Sequence, residues 1–88
     1  MAGAWASTDA WDAEAQEAAR FAVQSYAVQN RRRVLFKEVT QAHKQVVAGI
    51  NWSLLLQVSE EGVLRSARVT VWRNPDGRYS LSEWGWLD

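Results

Sequence analysis

The hydrophobic rhythm of the chain changes once, near residue 30. Before that point Ala15, Ala18, Ala19, Ala22, Val23, Tyr26 and Asn30 recur in steps of three and four, which sets them along one side of a helix. The spacing predicts a helix from about Asp9 to Asn30. Asp9, Asp12, Glu14 and Glu17 crowd its start, and Arg31, Arg32 and Arg33 follow its end, both favoured by the helix dipole. Beyond it the period falls to two. Trp52, Leu54, Leu56 and Val58 alternate with Asn51, Ser53 and Gln57. Strands are predicted from Arg33 to about Gln45, Val47 to Val58, Val63 to Arg73, and Arg78 to about Trp86. Val34 and Phe36 share a parity that Val39 breaks, which predicts a bulge and a bend in the first strand. Glu60-Glu61-Gly62 reads as a polar turn. Asn74-Pro75-Asp76-Gly77 reads as a hairpin turn, since Pro sets φ, Asp bonds the backbone and Gly accepts positive φ.

The helical stripe is mostly alanine, so the helix axis can lie close to whatever covers it. The bulk must come from the partner surface, and Phe36, Trp52, Leu54, Leu56, Val69, Val71, Tyr79 and Leu81 supply it. The predicted fold class is therefore α+β: one helix cradled by a curved four-stranded antiparallel meander. Residues 1–8 form a leader that is extended or loose, with room for a short extra N-terminal strand. The whole of 1–88 reads as a single domain. Trp84 and Trp86 share a face; alternation alone does not decide whether they close one end of the core or present an aromatic patch.

Charge and composition narrow the function. Ten Lys and Arg balance ten Asp and Glu, which argues against a nucleic-acid partner and leaves Arg31–Arg33 as a solvated helix end. The absence of cysteine excludes disulfides, thiol enzymes and Cys-ligated zinc, and the single histidine, His43, has no ligand-type partner nearby in sequence. No catalytic residue, metal site or cofactor is expected. No apolar run is long enough to span a membrane, and the start Met1-Ala-Gly-Ala-Trp-Ala is not an intact signal peptide.

Two stretches go beyond a generic α+β pattern. Ala18-Ala19-Arg20-Phe21-Ala22-Val23-Gln24-Ser25-Tyr26 lies within the helix, and Gln45-Val46-Val47-Ala48-Gly49 lies between the first two long strands. In this order and spacing they resemble the cystatins, protein inhibitors of papain-like cysteine proteases, and within them the plant branch. Gly3, Phe36 and Trp72 stand at the distances the family pattern requires. The resemblance implies a wedge made of an N-terminal glycine leader (Gly3, Ala4, Trp5), a first inhibitory loop (Gln45, Val46, Val47, Ala48, Gly49) and a second turn. It also implies reversible filling of the protease cleft, with no scissile bond at the thiolate. The second turn departs from the pattern: Pro75 is kept, but Asp76 stands where the family carries tryptophan. That departure implies weakened inhibition.

Valine in a tight turn is strained if φ is forced positive, so exchange of the helix and first strand between protomers is the expected alternative to a monomer. The rival function is a cystatin-fold interaction or scaffold module without inhibition, with Asp76 as its trace. A ligand-binding cone is disfavoured by the lack of converging acid–base groups.

Overall fold

The computed structural model describes residues 3–87. Met1 and Ala2 of the expected leader, and Asp88, lie outside the described residues. The elements in chain order are β1 (Ala6–Thr8), α1 (Ala13–Asn30), β2 (Val34–Val47), β3 (Gly49–Glu60), β4 (Val63–Arg73) and β5 (Tyr79–Trp86). All five strands form one antiparallel sheet in the order β1-β2-β3-β4-β5. The meander is thus five-stranded, because part of the leader pairs as β1 with residues 42–44 of β2.

The helix begins later than its periodicity predicts. The Asp9 carboxylate accepts from the Trp11 amide at 2.9 Å and the Asp9 carbonyl accepts from the Asp12 amide at 3.0 Å, so residues 9–12 are committed to a turn. Asp12 then caps α1, its carboxylate accepting from the amides of Glu14 at 2.9 Å and Ala15 at 3.1 Å. At the other end Arg31 takes the left-handed conformation, φ 52°, and stops the helix where the sequence predicts. Asn30 is exposed and not on the buried side; its amide donates to the Tyr26 carbonyl.

Ala15, Ala18, Ala19 and Ala22 have no solvent exposure. They lie against Trp52, Leu54, Leu56, Val58, Val69 and Val71, all buried on the sheet's inner face. Each such large side chain contributes roughly 1.5–3 kcal/mol by leaving water. Register shifts at Phe36/Glu38 and Val39/Gln41 give β2 two irregularities where the parity break predicts one bulge, and they bend β2 around α1.

Glu60 does not belong to the turn that the sequence predicts. It is the last residue of β3, and parity puts it on the inner face with Val58, where it is buried. The turn is confined to Glu61 and Gly62. Arg65 satisfies the Glu60 carboxylate on one oxygen and Arg32, 3.4 Å away, on the other. Trp84 and Trp86 close the core beside α1: Tyr26 stacks on Trp84 at 4.2 Å, accepts from the Trp86 indole N–H at 3.1 Å, and Arg65 lies 3.7 Å from the Trp86 ring centroid. A twelve-residue strand spans roughly 40 Å, which matches the long dimension of 40 Å. Through Val69 and Ala67 of β4, Trp84 and Trp86 stand level with Leu54 and Leu56, near the middle of β3 and away from the β2–β3 hairpin tip.

Candidate functional site

The Gln45–Gly49 segment is less of a loop than its composition implies. Gln45, Val46 and Val47 remain in β2 and pair with Asn51, Ile50 and Gly49 of β3. Only Ala48 lies between the strands, so the turn is very tight. Its strain falls on Gly49, φ 87°, and on none of the valines; among described residues the non-glycine positive φ values are at Arg31 and Glu61. The valine-strain premise for protomer exchange is accordingly not met. A Cβ on Gly49 would collide with the Arg73 carbonyl oxygen, so glycine is required there by the fold itself. Val46 is 60% exposed at the hairpin's end, a branched apolar side chain presented on a paired backbone.

The leader runs beside this hairpin. The Gly3 amide donates to the Val46 carbonyl at 2.8 Å, and the Gln45 side-chain amide donates to the Gly3 carbonyl at 2.8 Å. A Cβ on Gly3 would stand 3.0 Å from the Val46 carbonyl oxygen, so a larger residue would push the leader outward. Ala4 is exposed and Trp5 is 46% exposed.

The second turn shares this end of the sheet, because Ile50 pairs with Arg73, the last residue of β4. The Asn74 carbonyl accepts from Gly77 at 2.9 Å and its side-chain oxygen from the Arg78 amide at 2.9 Å, which fixes the turn. Pro75 and Asp76 are exposed at its tip. The Trp72 indole N–H donates to the Ala48 carbonyl at 2.9 Å and ties one hairpin to the other. Residues 3, 45–49 and 74–76 thus occupy one end of the molecule.

Two side-chain bonds here are not legible in the sequence. Asn51 reads as an ordinary polar position in an alternating strand, yet its amide donates to the Gln45 side-chain oxygen at 3.2 Å. Trp72 was visible only by its spacing, not by its hydrogen bond. Tyr79 has a clear pKa shift. Burial of its hydroxyl first, and the nearby Glu17 carboxylate second, push its ionisation up to about 12. Among the described residues no three His, Cys, Asp or Glu side chains cluster as metal ligands. Among the described residues no helix is long and apolar enough to cross a membrane.

The sequence profile of the cystatin domain matches residues 3–78. The chain belongs to the cystatin family. It is 34% identical over 62 residues to cysteine proteinase inhibitor 3 of Arabidopsis thaliana, covering 70% of this chain and 50% of that one. It is 31% identical over 75 residues to cysteine proteinase inhibitor 1 of Actinidia chinensis var. chinensis, covering 84% and 65%. This cystatin therefore spans about half to two thirds of the length of those curated relatives. The salivary cystatin of the soft tick Ornithodoros moubata superposes with a TM-score of 0.83 over 98% of both chains at 20% identity. That likeness establishes the cystatin fold across the whole sheet and helix.

Proposed function

We propose that this cystatin is a reversible inhibitor of papain-like cysteine proteases, acting as a wedge and carrying no catalytic group. The leader (Gly3, Ala4, Trp5) and the first hairpin (Gln45–Gly49) enter the active-site cleft side by side, and Pro75 with Asp76 makes a weaker contact alongside. The observation that carries this reading is the hydrogen bond from Gly3 to Val46: leader and hairpin form one continuous edge. The relatives named as cysteine proteinase inhibitors supply the partner class.

The physics of such a plug is preorganisation. The hairpin backbone is already paired up to its one-residue tip, so little order is lost on docking. Val46 offers apolar surface to be buried, in an interface of about 1,600 Å² if it is of ordinary size. The protease thiolate meets no carbonyl carbon poised for attack, because the hairpin tip is held by the Trp72 and β3 contacts. Asp76 weakens the wedge. A buried interfacial tryptophan is worth about 2 kcal/mol or more, so its replacement costs at least a factor of about thirty in affinity.

Titration of active papain with the full chain tests the reading. Stoichiometric or competitive loss of activity, with the inhibitor recovered uncleaved, is expected. Full protease activity at high micromolar inhibitor would overturn it and favour the second reading, a non-inhibitory interaction module. The exposed Asp76 at the second turn is the observation on that side.

A further inference from the structure

We infer that Asn51, on the central strand β3 two residues past Gly49, is a positioning residue that docks the N-terminal leader against the first hairpin before any protease is met. This rests on the wedge reading for its consequence, though not for its geometry.

Hydrogen-bond direction fixes the arrangement. A backbone carbonyl can only accept, so the Gly3 carbonyl requires the NH2 end of the Gln45 amide, which meets it at 2.8 Å. That orientation turns the single Gln45 oxygen the other way. Asn51, the Cα partner of Gln45 across the β2–β3 ladder, meets that oxygen with its own NH2 at 3.2 Å. Polarity thus runs in one direction from Asn51 through Gln45 to Gly3, and the Gly3 amide closes the circuit on Val46 at 2.8 Å. If Asn51 presented an oxygen instead, Gln45 would turn its NH2 toward Asn51. The leader carbonyl would then face an oxygen.

Position adds to direction. On its other side Asn51 pairs with Trp72, the residue whose indole holds the Ala48 carbonyl. One cross-strand row, Gln45–Asn51–Trp72, therefore steadies the leader at one end and the hairpin tip at the other. The leader has little else to hold it. Gly3, Ala4 and Trp5 precede β1 and are exposed. Fixing one residue costs about as much as one hydrogen bond returns, so the loss of a single link is enough to release it.

Asn51→Asp tests this with almost no change of shape, and Asn51→Ala repeats it without added charge. Backbone 15N relaxation of the full chain reads the leader directly. Wild-type Gly3, Ala4 and Trp5 amides are expected near the rigid limit, with order parameters of about 0.8. In both variants they fall below about 0.6, while β3 is unaffected. Papain titration gives the functional arm. Asn51→Ala is expected to weaken inhibition about fivefold in the wild-type background and less than twofold in a Gln45→Ala background, because its effect passes through Gln45. Unchanged leader order in both variants overturns the proposal, and so does an equal cost in the two backgrounds. If the full chain does not inhibit papain, the wedge reading fails, and the relaxation arm still decides the latch by itself.

Discussion

Gly49 is the position where fold and function are easiest to confuse, and a pair of substitutions separates them. Gly49→Ala brings two penalties. The first is conformational: φ is 87°, where an L side chain is strained by about 1–3 kcal/mol. The second is a collision, since the new Cβ would meet the Arg73 carbonyl oxygen and the Asn74 Cα, both backbone atoms that no rotamer change can move. Relief requires opening the ladder near the Ile50–Arg73 pair, at a cost of about one hydrogen bond, or about 1 kcal/mol. The expected sum is about 2–4 kcal/mol, a drop in Tm of roughly 10–25 °C for a domain of this size. Gly62→Ala is the control. Its φ is 84°, but a Cβ there meets nothing within 4 Å, so it bears the first penalty alone. Calorimetry of the two variants against wild type is the assay, and Gly49→Ala should exceed Gly62→Ala by about 1 kcal/mol or more. Equal losses at the two sites would refute the collision argument. Where it holds, weaker inhibition by Gly49→Ala reports a displaced hairpin and not a lost protease contact.

Three further outcomes are expected. Tyr79→Phe should flatten the alkaline limb of the stability curve. The folded-state value of about 12 lies above the ordinary 10.0, so the stability from Tyr79 is complete below pH 10 and disappears as pH rises through 12. For a half-buried ring this amounts to about 1 kcal/mol after solvent screening, and parallel wild-type and variant curves across pH 10–12 in urea melts would contradict it. Glu60→Gln should lower stability by about 1–2 kcal/mol, less than for a fully buried pair because Arg32 is half exposed and can rehydrate; a variant as stable as wild type in urea would count against the pairing. Asp76→Trp should tighten papain inhibition by at least about thirtyfold, read from the inhibition constant, and no change would show that the second turn does not touch the protease.

Much of the fold was legible because its signals are periodic. The alanine stripe implied a close-lying helix, and Ala15, Ala18, Ala19 and Ala22 are indeed the buried contact. The parity break at Val39 announced a bulge, and β2 has two register shifts there; Asn74–Gly77 announced the β4–β5 hairpin. The errors have local causes. Asp9 carries the acidic signature of a helix start, but its carboxylate is used two residues on in a turn, so the cap moved to Asp12. Glu60 looked like turn material because it is charged. Burial at that position depends on Arg65 and Arg32, and no rule of alternation pairs a carboxylate with arginines on other segments. In the site, residue identities were readable and their connections were not. The bonds Asn51–Gln45 and Trp72–Ala48 join side chains and backbone across strands, and they exist only once register is fixed.

That difference bears on how the site should be weighed. The residues that most strongly evoke the family are partly explained without any protease: Gly49 by the collision with Arg73, Phe21 by stacking on Tyr79 at 5.5 Å, and Gln45 by its bond to Gly3. A match to such positions speaks first for the fold. Evidence for a wedge must come from features that the fold does not need. Val46 is one, since an apolar side chain 60% exposed at a hairpin end does nothing for the core. The leader bound along that hairpin is another, because Gly3 supports no helix or core contact and yet is bonded through both its amide and its carbonyl. An apolar tip and a tethered leader on the same edge are what a groove-filling inhibitor requires and what a bare scaffold could dispense with.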